Sequence, residues 1–445
     1  MKTWLGTIVL SCLPAVGVAQ TSAPAPTLKL DEAISTALAD NRQLRASSMD
    51  VAKAAEAIAG TRSLRFPRLS ANVLSGVALS SIDFTIPRGT LGVFPATGPI
   101  PAADASIETP RQFAGIFLGS VAQPLTQLYK IGLAVRESEV GEQLTREHLQ
   151  QQRQDLVRQV RQAYAQLAQV RSQMDSAEEA VKYLTELSAL TDRRLAEQTV
   201  LRSDSLAVKA KLSQQRYQLQ TLRDNFDSGR EAFNRLLGRE PEHDFAVELQ
   251  PLPAAEELSL DAAQSRALER RPELRQTKLQ VTKAELDIRR ENAGYLPDVS
   301  LQLSYLSFAN INLLPAGIAH VGITAQWEPF DWGQRKHRVA ELRLTAKQAQ
   351  IATDDAESQI RVEVRASYRR LLEARALLDV QALAQETDRE KLRVLMNRYE
   401  QNSALLADLL QAQSAVAQTD AQFQDAVAGF WNAKASFDRA LGENY

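Results

Sequence analysis

The residues able to do chemistry are few and scattered. His148, His243, His320 and His337 stand far apart and form no His-x-x-x-His pair or Cys-x-x-Cys ligand set. The single cysteine, Cys12, lies in an apolar N-terminal run, and the four methionines do not cluster. No Gly-rich phosphate loop and no Gly-x-Ser-x-Gly nucleophile elbow occurs. This predicts no enzyme, no metal centre and no cofactor. Acids do recur in register: Asp204 and Asp408 each follow a leucine by three residues, within matching stretches. A carboxylate there suits the first turn of a helix, where it meets the positive end of the helix dipole.

That recurrence extends over most of the chain. Residues 28–72 align without a gap on 258–302, with Leu28, Asp31, Ala33, Ala37, Leu44 and Pro67 returning as Leu258, Asp261, Ala263, Ala267, Leu274 and Pro297. Further on, Arg194, Leu201, Asp204, Phe226, Phe233, Arg235 and Gly238 match Arg398, Leu405, Asp408, Phe430, Phe437, Arg439 and Gly442. A unit of about 200 residues is far longer than a solenoid repeat of about 20 to 50. One large motif is duplicated, and the expected organisation is a signal at 1–19, a first structural repeat at 20–250 and a second at 251–445.

The signal is read from Lys2, the apolar run Trp4 to Leu13, and Gly17-Val18-Ala19 as a small-residue cleavage site. Cys12 after Val9-Leu10-Ser11 is the alternative processing point, where a lipid would be attached. With 52 basic and 54 acidic residues and a net charge of −2, nothing supports a nucleic-acid-binding surface. No later stretch reaches the about 18 apolar residues of a membrane helix, so a membrane role would need a β-barrel.

Each copy opens with an amphipathic helix, Leu28 to Arg65 and Leu258 to Gly294, that stops before Pro67 or Pro297. The period then changes from 3.6 to 2. Val299, Leu301, Leu303 and Tyr305 alternate with polar residues, as do Val321, Ile323, Ala325 and Trp327. The first copy carries similar strands near 68–80 and 112–123, with a Gly- and Pro-rich loop from Ile82 to Pro110 between them. Two readings fit: a soluble hairpin with one face on a core, or an apolar band facing lipid over a polar lumen, with Tyr305 and Trp327 at the membrane interface.

Very long helices follow. Leu156, Val160, Ala163, Leu167, Val170, Met174, Ala177, Val181 and Leu184 are spaced alternately by four and three, a heptad seam, and Ile360, Val364, Leu371, Ala374 and Leu378 keep the same register. The intervening Arg, Gln and Glu read as solvated or lumenal faces. A helix from Leu128 to Gln198 would be about 100 Å long, enough to cross a gap rather than fold over a compact core. Reversals are expected near Gln198 to Asp204 and Asn402 to Asp408, with Gly238 and Gly442 as C-caps of the returning helices. Residues 239–257, with Pro241, Pro251 and Pro253, join the copies.

This order of helix, two strands, long helix, reversal and returning helix, twice over, resembles the TolC-like outer membrane efflux protein family (the outer membrane factors). The carrying residues are Ala267-Leu268 with Pro272 and Leu274, Pro297 before the strand, and Trp327-Glu328-Pro329-Phe330-Asp331-Trp332-Gly333 between strand and long helix. Arg398-Tyr399, Asp408-Leu409-Leu410 and Ala412-Gln413 are similar to the family's tip signature. The chain departs from it with Arg42 in place of a proline, Gln198 and Asn402 in place of the tip glycines, and Leu195 where the second copy has Tyr399.

The resemblance implies a mainly α fold with a small membrane β-barrel, in which four strands per chain contribute to a trimeric 12-strand barrel above a long periplasmic α-helical barrel. Physics agrees, since four strands cannot close a barrel and open edges cannot face lipid. It implies location in the outer membrane, spanning into the periplasm, and partnership as a homotrimer with a periplasmic adaptor (membrane fusion) protein, an inner-membrane pump and outer membrane lipid. The implied function is the outer membrane channel of a tripartite efflux or type I secretion system, conducting passively. The resemblance puts Asp408 and Gln411 at a periplasmic aperture, with Tyr399 and Asp204 among the contacts holding the helices closed. Capping for the two acids and seam packing for Tyr399 are the plainer alternatives. Gln198, Thr199, Ser203, Asn402, Ser403 and Ala407 are the expected adaptor-docking tips. The competing class is a periplasmic coiled-coil adaptor or scaffold, which would insert one helical hairpin into a β-rich module.

Overall fold

The computed structural model describes residues 26–77, 79, 82–109, 113–248, 251–252, 259–310, 317–401 and 403–443. The expected signal, Cys12, Leu258 and Asn402 lie outside these. In chain order the elements are β1 (Thr27–Leu28), α1 (Leu30–Asp40), α2 (Arg42–Ser63), β2 (Arg68–Val77), β3 (Ile82–Ile86), β4 (Val93–Phe94), β5 (Gly98–Pro99), β6 (Ala105–Thr109) and β7 (Phe113–Pro124). Then come α3 (Gln127–Ala196), α4 (Arg202–Leu237), β8 (Ala246–Val247), α5 (Leu260–Arg270), α6 (Pro272–Ala293), β9 (Asp298–Ala309), β10 (Gly317–Gln326), α7 (Gln334–Glu400) and α8 (Leu406–Ala440).

The opening helix of each copy is two helices, not the single one expected. In the first copy Asn41 breaks it: its side chain accepts from Leu44 N–H at 2.9 Å and donates to the Leu236 carbonyl at 2.9 Å. In the second, Arg271 takes an extended ψ of 124° before Pro272, as the ring of a following proline demands. The second helix of each pair ends at Ser63 or Ala293, a short turn before the proline rather than at it.

Four strands form one sheet in the order β10-β9-β7-β2, antiparallel throughout. Register aligns Leu69, Val73, Phe117, Val121, Leu301, Leu303, Val321 and Ile323 on one face. The other face is polar in its helix-proximal half. There Ser70 and Ser120 lie 2.7 Å apart and Gln302 donates to Ser304 at 3.2 Å. Ser304 is 2% exposed, whereas Val321 and Ile323 on the apolar face are 70% and 69% exposed. The apolar side is thus unpartnered within the chain. The expected loop from Ile82 to Pro110 is not structureless, because β3 pairs with β6 and β4 with β5.

The heptad seam packs as read, with Leu156, Val160, Leu167, Met174, Ala177 and Leu184 buried. Its flanks differ from expectation. Gln154 is buried, and Arg161 pairs with Asp438 rather than facing solvent. The reason is that α3 has neighbours on several sides: α4, α8, α2 and α6 all pack on it. The joining stretch also docks. Phe245 is 3% exposed against Phe233, and the Tyr164 hydroxyl donates to the Leu28 carbonyl at 2.9 Å while accepting from Glu248 N–H at 3.1 Å.

The chain is therefore a wall in three storeys. The sheet runs β2-β7-β9-β10, the upper helices run α2-α3-α6-α7, and the lower helices run α4-α3-α8-α7. First-copy elements stand at one open edge of every storey, and second-copy elements at the other.

Candidate gate and docking site at the helical tips

The two hairpins reverse by the same device. At the first tip, Gln198 N–H bonds to the Leu195 carbonyl at 3.0 Å and Thr199 N–H to the Arg194 carbonyl at 2.9 Å, the paired bonds of a Schellman C-cap. The left-handed residue is Gln198, at φ 59°, where glycine would be cheaper. A hydroxyl reinforces the turn, since Thr199 Oγ1 also donates to the Arg194 carbonyl at 2.9 Å. Ser403 repeats this at the second tip, with its N–H at 2.8 Å and its Oγ at 2.9 Å from the Arg398 carbonyl.

The reversals are shorter than expected, since Ser203 and Ala407 already belong to the first turns of α4 and α8. Gln198, Thr199, Ser203, Ser403 and Ala407 are all exposed.

The candidate aperture residues divide. Asp408 and Gln411 are exposed and line one groove between α7 and α8 together with Lys391 and Arg398. Asp408 stands in the first turn of α8. Asp204 holds the same position in α4 and accepts from its own helix's Leu201 N–H at 3.3 Å, so within this chain it caps rather than ties helices together.

Tyr399 lies elsewhere. It is 7% exposed and packs against Leu184, Leu187, Val208 and Leu409, so it joins the second hairpin to the first. The Arg194 guanidinium sits 5.1 Å over its ring. Its hydroxyl is buried without a hydrogen-bond partner among the described residues. Burial, with Tyr399 and Glu400 nearby, pushes the Tyr183 hydroxyl up to about 12. Cross-helix contacts at the first tip come from residues not singled out by sequence. Ser205 donates to Asp192 at 2.7 Å and Lys209 pairs with it at 2.9 Å, and those two bonds hold the Asp192 carboxyl below its usual range. Their one sequence signal is position, a turn or two on either side of the reversal. Of the interface aromatics, Tyr305 lies well along β9, with its ring 6.4 Å from that of Phe117. Trp327 follows β10 at the helix end of the sheet and donates to the Tyr295 carbonyl at 3.3 Å.

A four-stranded sheet on two pairs of long antiparallel helices is shared with solved outer membrane channels. OprN superposes with a TM-score of 0.72 at 19% identity, covering 93% of this chain and 89% of that one. CmeC of Campylobacter jejuni superposes at 0.74 with 14% identity, covering 98% and 94%. VceC of Vibrio cholerae superposes at 0.72 with 15% identity, covering 93% and 96%. The chain has the TolC-like channel fold. Residues 263–443 match the family model of the outer membrane efflux proteins. No curated protein matches the chain in sequence.

Proposed function

We propose that this chain is the outer membrane channel of a tripartite export machine serving efflux or type I secretion. It would conduct substrates passively from an inner-membrane pump and periplasmic adaptor to the outside. The observation that carries the reading is that all three storeys of the wall are open at both edges. β2, α2 and α4 stand free on one side, and β10 and α7 on the other. Open strand edges have no place in lipid. One rotation that pairs β10 with β2 of the next copy closes every storey at once, and three chains of four strands give a 12-strand barrel.

In this proposal the chain comprises a removed signal at 1–19 and two structural repeats at 20–250 and 251–445. Asp408 and Gln411 ring the periplasmic aperture, Tyr399 braces the tips, Asp204, a cap within its own chain, braces them only across the subunit contact, and the segments Gln198 to Ser203 and Asn402 to Ala407 receive the adaptor. Three Asp408 carboxylates in a ring attract cations and repel anions. The groove that places Asp408 beside Gln411 supports this role, while the buried ring of Tyr399 supports a bracing one.

The test is conductance of the purified protein in a planar bilayer, wild type against Asp408→Ala. Cation-selective pores that lose selectivity in the variant support channel and aperture together. Pores indifferent to the substitution reduce Asp408 to a helix cap. A protein that stays water-soluble without detergent sinks the channel reading and leaves the scaffold.

A further inference from the structure

Between β10 and α7 the chain displays bare aromatic side chains. Trp327, Phe330 and Trp332 are 62%, 67% and 89% exposed. The strap that carries them is firmly held. Asp331 accepts from Gly333 N–H at 3.0 Å and from Arg335 N–H at 2.9 Å, and the Phe330 and Trp332 rings meet edge-on at 4.8 Å. Trp332 nonetheless adopts φ 54°, a left-handed backbone that a bulky side chain adopts only under constraint. At the opposite edge of the wall, Phe66 is 70% exposed beside Arg65 and close to Arg68. Most cations at this level are paired: Lys130 with Asp298, Arg62 with Glu139, and Arg338 with Glu341, each at 2.6 Å. Among the described residues Arg65 and Lys336 make no ion pair, while Arg68 shares the parity of Ser70 and lies on the polar face of the sheet.

We propose that the strap of one protomer and the β2 entry of the next form a binding site for an anionic phospholipid of the periplasmic leaflet. The inference rests on the trimeric barrel reading above. Antiparallel closure of β10 on β2 sets the helix end of β10 beside the start of β2. The strap with Trp332, Phe330 and Lys336 then stands beside Arg65 and Phe66 of the neighbouring copy. Trp327 keeps the alternation of Val321, Ile323 and Ala325 and so continues the apolar face of the sheet, where Leu69, Val73, Val321 and Ile323 are exposed, and acyl chains are the occupant that fits it. Indoles settle at the level of headgroups because one edge is polar. Unpaired Arg and Lys just beyond the apolar band supply the phosphate contacts.

Native mass spectrometry of the detergent-purified trimer, titrated with phosphatidylglycerol or phosphatidylethanolamine, tests this. The expected result is preferential retention of phosphatidylglycerol, up to one lipid per subunit contact. The Arg65→Gln/Lys336→Gln variant should lose about fivefold in affinity for each cation removed. Trp332→Gly, which also relieves the left-handed backbone, should weaken both lipids. A trimer that holds the two lipids equally, or whose preference survives the double substitution, overturns the site alone. A chain that stays monomeric overturns the trimeric reading and the composite site with it.

Discussion

The joint between the opening helices is solved twice in this molecule with different chemistry. In the first copy it is neutral: the Asn41 amide bridges Leu44 and Leu236. In the second, the equivalent Arg271 is 4% exposed and ionic. It donates to Glu273 at 3.0 and 3.1 Å and to Glu363, while Arg439 reaches Glu273 and lies 2.8 Å from Asp155. Arg235, which matches Arg439 in the repeat, is exposed. Identical residues thus carry different duties because the neighbours differ. The second joint lies where α6, α7, α8 and α3 converge, whereas the first meets α4 and α3 only. The lesson is that matching backbone geometry can carry quite different side-chain chemistry.

The largest effect should come from breaking the charged joint. Arg271→Ala leaves Glu273 and Glu363 without their shared cation, and disrupting a buried ion pair costs about 3–5 kcal/mol. Asn41→Ala removes a cap worth about 1 kcal/mol. Thermal unfolding of the two variants in the same detergent compares them, and equal losses would refute the distinction. Acid sharpens it further. Burial opposes ionisation of Glu273, but Arg271 and Arg439 outweigh it and hold the group at about 2 against an ordinary 4.5. A lowered folded-state value means the stabilisation is fully present above pH 4.5 and fades as pH falls towards 2. Hydrogen exchange at pH 3 should therefore loosen α5 and α6 before α1 and α2.

The glycine caps give the next effect. Both are left-handed, Gly238 at φ 82° and Gly442 at φ 71°, and each presses on the helix break of its copy. A Cβ at Gly238 would stand 2.3 Å from the Asp40 carbonyl oxygen, and one at Gly442 would stand 3.0 Å from the Arg270 carbonyl carbon. Gly238→Ala should therefore cost more than Gly442→Ala, with strain alone accounting for about 1–3 kcal/mol in each. Urea titration of both variants decides the order.

Much of this was legible in the residues. The seam from Leu156 to Leu184, the alternation in β9 and β10, the capping glycines and the first-turn positions of Asp204 and Asp408 follow from local spacing. The helix breaks were harder. Asn41 sits in a continuous apolar period, and its amide acts only because Leu236, far along the chain, offers a carbonyl. The burial of Arg161 depends likewise on Asp438, and that of Tyr399 on Leu184 and Val208 across a hairpin boundary. Periodicity reports one face of a helix, and α3 uses more than one. At the tips, spacing placed the reversal to within a few residues but gave no sign that Thr199 and Ser403 would clamp it.

That clamp supplies the smallest and most discriminating prediction. Without a tip glycine, the first reversal carries Gln198 in a left-handed conformation costing about 1–2 kcal/mol. The hydroxyl bond from Thr199 to the Arg194 carbonyl, worth about 1 kcal/mol, offsets most of that. Thr199→Val should thus destabilise by about 1 kcal/mol, and Ser403→Ala by a similar amount, because Ser403 Oγ makes the matching bond to the Arg398 carbonyl. Gln198→Gly should recover the loss in the Thr199→Val background, since it removes the strain that the hydroxyl compensates. Circular dichroism melts of the two single variants and the Gln198→Gly/Thr199→Val double variant form the comparison. If the glycine fails to rescue, the hydroxyl serves something other than the turn, and adaptor docking at the exposed tip becomes the role to examine.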